Sequence, residues 1–169
     1  IGASILKAVQ ETKAVCDHNT NLGIILLLAP LAAVPDGISL RGGIAGVLSS
    51  MNVEDSRLVF EAIRLAAPRG LGDSEAEDVD SEPTQPLVEI MSLAAERDLI
   101  ARQFTTNFEM VFQFSEACLD NESIQFDWES QVIRLQLELM AATPETDILR
   151  KCGEPEAKEA SLRARAILD

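Results

Sequence analysis

The chain is short of histidine and cysteine, which limits the catalytic and metal sites that it can build. Its 169 residues include one histidine, His18, and three cysteines, Cys16, Cys118 and Cys152. A single histidine does not supply a Ser/His/Asp or Cys/His catalytic set. The cysteines lie far apart without the paired spacing of a zinc site, which predicts reduced thiols in a cytosolic protein.

Basic residues are also scarce. There are 14 Lys and Arg residues against 28 Asp and Glu residues, which gives a formal net charge of −14 and a pI near 4.4. This charge repels nucleic-acid backbones and anionic membrane surfaces, so we expect neither as a partner. Anionic small molecules remain compatible with it where Mg²⁺ or a local arginine offsets the field.

No apolar run is long enough to cross a membrane. The longest run, from Leu22 to Val34, is shorter than a membrane-spanning helix and contains Pro30. No basic segment with a small-residue cleavage site precedes it. With 47% hydrophobic residues, the chain is expected to form one soluble domain, residues 1–169, that buries a sizeable core.

The hydrophobic pattern predicts an all-α fold. No stretch alternates with a period of two, and β-branched residues are sparse, so strands are not expected. We expect roughly seven to nine helices in a multi-helix bundle around a buried apolar helix. The expected helical stretches are 1–16, 24–33, 40–50, 53–67, 87–119, 132–143, 148–152 and 156–169, of which 87–119 can contain a break.

A polar segment, Asn19-Thr20-Asn21-Leu22-Gly23, opens the most apolar helix. Asn19 or Thr20 is expected as its N-cap, and the unbroken apolar run predicts a helix that is buried on every side. The unpaired N–H groups at such a helix start suit a phosphate, and Gly23 lets a ligand or a neighbouring helix approach closely. The alternative is a capped core helix whose asparagines only hold a nearby loop.

The helical pattern stops between Arg69 and Pro86. Carboxylates at the density found here can hold Mg²⁺ beside a polyphosphate, although a solvated charge run is the commoner explanation. Gly70-Leu71-Gly72 would let the backbone fold tightly against a ligand, but two glycines are no phosphate-loop signature. Six acidic residues fall within ten positions: Asp73, Glu75, Glu77, Asp78, Asp80 and Glu82.

A charged group interrupts an apolar stripe in the following helical stretch. Arg97 falls on the stripe that Leu93 and Ile100 define. A buried arginine needs partners, so an ionic cluster facing the interior or a cleft is expected, with Asp98 and Arg102 spaced for an i,i+4 pair. Its members are Glu96, Arg97, Asp98 and Arg102. The cluster either holds two helices in register or forms a cleft in which an arginine binds phosphate and a carboxylate acts as base.

Three stretches together resemble the triphosphoribosyl-dephospho-coenzyme A synthase family: 19–31, 70–79 and 93–103. The resemblance covers nearly the whole chain in order and spacing. It implies an all-α domain that transfers the triphosphoribosyl group of ATP to the ribose 2′-hydroxyl of 3′-dephospho-coenzyme A and releases adenine. The product would be a prosthetic-group precursor for acyl carrier subunits of citrate lyase and malonate decarboxylase.

The resemblance assigns a role to each group of candidate residues. Glu96 and Asp98 are the expected catalytic carboxylates, and Asp73 and Asp78 are expected to hold Mg²⁺. The expected substrate-binding residues are Asn19, Thr20, Asn21, Gly23, Gly70, Gly72, Arg97 and Arg102. Two alternatives stay open, a nucleotide-dependent ribosyl transferase with a different acceptor and a non-catalytic helical binding protein.

The chain also departs from the family pattern. The citrate-lyase branch usually reads Asn-Thr-His-Lys-Gly, whereas Asn21 and Leu22 stand where its histidine and lysine would fall. The resemblance is therefore to a smaller, single-domain branch. The family's Lys-Pro-Gly segment and its Asn-Pro-Gly-Thr segment are both missing and the chain begins without methionine, so we expect an incomplete domain.

Overall fold

The structure is a computed structural model that describes residues 1–16, 18, 21–66, 82–119 and 127–168. Within these ranges the chain forms ten α-helices and no strand, so the all-α prediction is confirmed. No helix in the described ranges is both long and apolar enough to span a bilayer. The helices are α1 (Gly2–Val15), α2 (Leu22–Ala32), α3 (Leu40–Ser50), α4 (Val53–Ala66), α5 (Leu87–Ala94), α6 (Leu99–Thr105), α7 (Glu109–Leu119), α8 (Trp128–Ala142), α9 (Thr146–Cys152) and α10 (Glu154–Leu168).

The stretch 87–119, expected to be helical with or without a break, forms three helices. Asp98 starts α6 because its Oδ1 accepts hydrogen bonds from Ile100 N at 2.8 Å and Ala101 N at 2.9 Å. After α6, Asn107 and Phe108 have φ angles of 52° and 63°, which no helix can accommodate. These two breaks raise the helix count of the described residues above the expected range.

The chain divides into two compact units, Ile1–Phe108 and Glu109–Asp169. The single-domain expectation is not tested by this division and stays a prediction. In the first unit α1 packs along α4, and α2 contacts α1, α3 and α6. The rings of Phe104 and Phe108 lie 5.7 Å apart in its core. The largest fully buried apolar side chains are Ile5, Ile44, Val59, Leu87, Phe104 and Phe108.

Asn52 caps α4. Its Oδ1 accepts hydrogen bonds from Glu54 N at 2.8 Å and Asp55 N at 3.2 Å, and Asp55 Oδ2 accepts one from Asn52 N at 3.1 Å. This reciprocal pair is a capping box. The other oxygen of Asp55 accepts a hydrogen bond from Gly2 N at 2.7 Å, so one carboxylate serves the first turns of both α1 and α4.

The prediction that α2 is buried on every side is wrong. Leu22, Leu26 and Pro30 repeat every four residues and are buried, whereas Ile24 and Leu28 are each 57% exposed. The helices that contact α2 cover one face and leave the other open. Because the exposed positions are also apolar, the sequence carries no polar stripe that would mark the open face.

In the second unit α10 packs against α8. Ala157, Ser161 and Ala164 are the buried residues of α10, and their small side chains let the two helices approach closely. Arg165 Nε donates a 2.9 Å hydrogen bond to Ala141 O in the last turn of α8. This bond satisfies one of the carbonyl groups that a helix leaves unpaired at its C-terminus.

Candidate functional site

The first turn of α2 is the starting point of the site. Asn19 and Thr20, the residues expected to cap it, lie outside the described residues, and the N-cap position is held by Asn21. The Asn21 side chain accepts no capping hydrogen bond; instead its Nδ2 donates to Thr12 Oγ1 at 3.0 Å. Gly23 N and Ile24 N donate to none of the described residues. The turn therefore keeps two N–H groups for another partner.

A small cavity adjoins this turn. Its volume of about 10 Å³ is room for one water molecule at most, so a nucleotide would lie outside it rather than within it. Ala66, the last described residue before the acidic segment, is part of its wall, so the described chain leading into that segment ends beside Asn21. The cavity is lined by Val9, Thr12, Lys13, His18, Asn21, Leu22 and Ala66.

The start of α6 lies against the start of α2. A Cβ placed on Gly23 would lie 2.8 Å from Ile100 Cδ1, and each of these residues is the second of its helix. The close approach expected at Gly23 is thus made by a neighbouring helix. Two helix N-termini therefore adjoin, and that of α6 already carries the Asp98 carboxylate as its cap.

The expected buried ionic cluster is not formed. Glu96 and Arg97 are exposed in the turn between α5 and α6, and no ion pair among the described residues includes Arg97. Leu93 is itself 55% exposed. The apolar stripe breaks because α5 ends at Ala94, so helical spacing does not carry from Leu93 to Arg97.

Asp98 and Arg102 do not form the expected i,i+4 pair. Arg102 Nε donates to Ala95 O at 2.9 Å and its Nη2 donates to Glu96 O at 3.3 Å, so its guanidinium holds the backbone of the α5–α6 turn. Asp98 Oδ1 caps α6, whereas its Oδ2 accepts from none of the described residues. One carboxylate oxygen of the half-buried Asp98 is therefore available to a ligand.

Most of the expected metal and loop residues cannot be placed. Gly70, Gly72, Asp73 and Asp78 lie outside the described residues. In the described part of the chain no group of three His, Cys, Asp or Glu side chains could hold a metal ion. Mg²⁺ needs only one or two protein carboxylates beside substrate phosphates, so the expected site at Asp73 and Asp78 stays a prediction.

Sequence reasoning missed Thr12 and Lys13, which lie at the site on the last turns of α1. Thr12 Oγ1 donates to Ala8 O at 3.0 Å and receives the hydrogen bond from Asn21. No local pattern signals this contact, because it joins two helices across residues 16–20. The only available signal was the polar character of Thr12 and Lys13 near the end of an amphipathic helix.

The fold and the site describe an all-α protein with two adjoining helix N-termini beside a carboxylate-bearing turn. The family model described as CitG: ATP:dephospho-CoA triphosphoribosyl transferase matches residues 1–169. The chain belongs to this family of transferases.

A solved structure shares the fold. It is the crystal structure of a candidate triphosphoribosyl-dephospho-coA synthase from Archaeoglobus fulgidus, which matches with a TM-score of 0.80 and 24% identity. The match covers 98% of this chain and 71% of that chain. No curated protein matches the chain. At this identity the likeness to the Archaeoglobus protein establishes the all-α fold.

Proposed function

We propose that the protein transfers the triphosphoribosyl group of ATP to the ribose 2′-hydroxyl of 3′-dephospho-coenzyme A and releases adenine. The observation that carries this proposal is the family match over all of residues 1–169. Two contacts support it: Gly23 at the start of α2 lies against Ile100 of α6, and Ala66, the last described residue before the acidic segment, lines the small cavity together with Asn21. The product would serve as a prosthetic-group precursor.

The reaction exchanges one bond at the ribose C1′ atom of ATP. The C1′–N9 bond to adenine breaks, a C1′–O bond to the acceptor forms, and the acceptor's hydroxyl proton passes to a base. Positive charge develops on the ribose ring during this exchange, and a nearby carboxylate stabilises it. Asp98 Oδ2 is our candidate for the base, because the α6 cap fixes this carboxylate while one oxygen accepts no hydrogen bond from the described residues. Glu96, exposed in the same turn, is the second candidate.

The triphosphate stays attached to the ribose and needs hydrogen-bond donors. The N–H groups of Gly23 and Ile24 supply two at the positive end of α2. Arg97 is exposed and extends from the turn beside α6, so its guanidinium is available to a phosphate. Mg²⁺, held by phosphate oxygens and by Asp73 or Asp78, would offset the repulsion between the triphosphate and a chain of charge −14.

A second candidate function keeps the ribosyl transfer and changes the acceptor. It is favoured by Asn21 and Leu22, which replace the histidine and lysine of the citrate-lyase branch. A site without those two cationic side chains would recognise the acceptor by different contacts.

Adenine release separates these functions. We expect the full-length protein with Mg–ATP to release adenine only when 3′-dephospho-coenzyme A is present, as followed by chromatography. Release that needs another hydroxyl-bearing cofactor precursor would favour the second candidate. A protein that binds no Mg–ATP in calorimetry would refute both and leave a non-catalytic helical binding protein.

A further inference from the structure

The hydrogen bond between Thr12 and Asn21 determines which way the Asn21 carboxamide faces. A threonine hydroxyl carries a single hydrogen, and that of Thr12 is donated to Ala8 O at 3.0 Å. Thr12 Oγ1 can therefore only accept from Asn21, whose Nδ2 lies 3.0 Å away. The amide NH₂ group consequently faces Thr12, and Oδ1 faces away from it.

The oxygen of this carboxamide has no other use among the described residues. An N-cap asparagine commonly accepts from the N–H groups of its own first turn, but Asn21 Oδ1 makes no such bond. It accepts from none of the other described residues. Asn21 is half-buried and lines the small cavity, and it directly precedes the first turn of α2 that carries the N–H groups of Gly23 and Ile24.

The surroundings of Oδ1 restrict its ligand. A phosphate oxygen is itself an acceptor and gains nothing from a carboxamide oxygen. A cation is disfavoured by the positive dipole end of α2. A neutral O–H or N–H donor remains, and both substrates named by the family contain adenosine, which offers ribose hydroxyls and an exocyclic amino group.

We propose that Thr12 is a positioning residue that presents Asn21 Oδ1 as a hydrogen-bond acceptor to a hydroxyl or amino group of the adenosine substrate. The inference rests on the proposed function and deepens it. Asn21 Oδ1 thus accepts a hydrogen bond from the nucleoside, and the N–H groups of Gly23 and Ile24 donate hydrogen bonds to the phosphates. Loss of the Thr12 hydroxyl frees the carboxamide to rotate, so the acceptor is no longer held in place.

Three variants test the position of Thr12. Thr12→Val keeps the shape and removes the hydroxyl, whereas Thr12→Ser keeps the hydroxyl. Thr105→Val is the matched control, because Thr105 Oγ1 donates to Arg102 O at 2.9 Å in the same way and makes no hydrogen bond to an asparagine of the described residues. We expect Thr12→Val to weaken Mg–ATP or dephospho-coenzyme A binding about tenfold in calorimetry, and the other two variants to stay within about twofold.

Nucleotide analogues identify the donor. 2′-Deoxy-ATP and 3′-deoxy-ATP each lack one ribose hydroxyl, and inosine triphosphate lacks the exocyclic amino group. One of them should bind the wild type about tenfold more weakly than ATP. That difference should disappear in Thr12→Val and in Asn21→Ala, and the affected analogue names the group that Asn21 contacts. The same two variants are also tested with dephospho-coenzyme A. If they weaken the binding of dephospho-coenzyme A and not that of ATP, the donor lies on dephospho-coenzyme A.

The outcomes separate this inference from the proposed function. If the wild type binds Mg–ATP and Thr12→Val binds each substrate as tightly as the wild type does, Thr12 has no positioning role and the proposed function stands. If the wild type binds neither substrate, both proposals fail together. A ligand-free readout accompanies the titrations: the Asn21 side-chain amide should exchange its hydrogens faster in Thr12→Val than in Thr12→Ser, and equal rates would overturn the positioning role.

Discussion

Gly2 N donates a 2.7 Å hydrogen bond to Asp55 Oδ1, which joins the first turn of α1 to the first turn of α4. A Cβ on Gly2 would lie 2.7 Å from Asp55 O and 2.8 Å from Asp55 Cα, so only glycine permits this approach. Asp55 Oδ2 meanwhile accepts from Asn52 N at 3.1 Å. The first unit therefore depends on one carboxylate that serves two helix starts.

The contribution of Asp55 should depend on pH. Partial burial acts to raise the pKa of Asp55, but hydrogen bonds from Gly2 N and Asn52 N lower it, so the pKa lies below its ordinary value. A carboxylate with a lowered folded-state pKa contributes stability above its unfolded pKa. That contribution is lost as the pH falls through the folded-state pKa.

Asp55→Asn tests this dependence. The variant should be less stable than the wild type at about pH 7, and the gap in unfolding free energy should narrow towards about pH 3 as Asp55 becomes protonated. Urea denaturation at a series of pH values measures the gap. A gap that is constant over this range would show that the charge of Asp55 does not stabilise the fold.

Gly2 and Gly46 should respond oppositely to alanine. Gly2→Ala forces a methyl group against the Asp55 backbone and should cost about 2 kcal/mol or more. Gly46 lies inside α3 with no atom within 4 Å of its built Cβ, so Gly46→Ala should stabilise the protein by roughly 1 kcal/mol through helix propensity. Thermal unfolding of both variants measures the difference, and similar effects at the two positions would contradict the close α1–α4 contact.

Arg97 and Arg102 should also differ. Arg97 is exposed, so Arg97→Ala should change the unfolding free energy by less than about 0.5 kcal/mol, although it should weaken phosphate binding. Arg102→Ala removes the hydrogen bonds to Ala95 O and Glu96 O and should cost about 1 kcal/mol. A larger loss of unfolding free energy in Arg97→Ala than in Arg102→Ala would show that Arg97 is buried.

Asp98 allows its structural and chemical roles to be separated. Asp98→Asn retains an oxygen that accepts from Ile100 N and Ala101 N, so stability should be nearly unchanged. Loss of the carboxylate should nevertheless lower kcat for adenine release by about a hundredfold or more. Glu96→Gln is the matched comparison, and a large loss of kcat there with none in Asp98→Asn would assign the base to Glu96.

The sequence predicted the elements whose ends carry a local signal. The span of α3 matched because a Pro35-Asp36-Gly37 turn precedes it and the Asn52 cap follows it. The position of the break at Asp98 was not predicted, because an apolar stripe can be drawn across a turn whose backbone geometry it does not encode. Likewise, the open face of α2 carries apolar residues, so only the packing of its neighbours shows that it is exposed.

The candidate site was predicted only in part, because some of its contacts depend on how the helices pack. The close approach at Gly23 followed from the glycine itself. The hydrogen bond from Asn21 to Thr12 depends on how α1 and α2 meet, and no spacing along the chain reports such a tertiary contact. The roles of the site residues came from the family resemblance and remain predictions.

Transfer of isotope-labelled ribose tests the central claim most directly. The full-length protein would be incubated with Mg–ATP labelled in the ribose ring and with 3′-dephospho-coenzyme A. The mass and amount of each product would then be measured by mass spectrometry. We expect unlabelled adenine and an acceptor that has gained the labelled ribose together with its triphosphate, in equal amounts. Label that stays with adenine as a nucleoside, or an acceptor that gains phosphate without ribose, would contradict it.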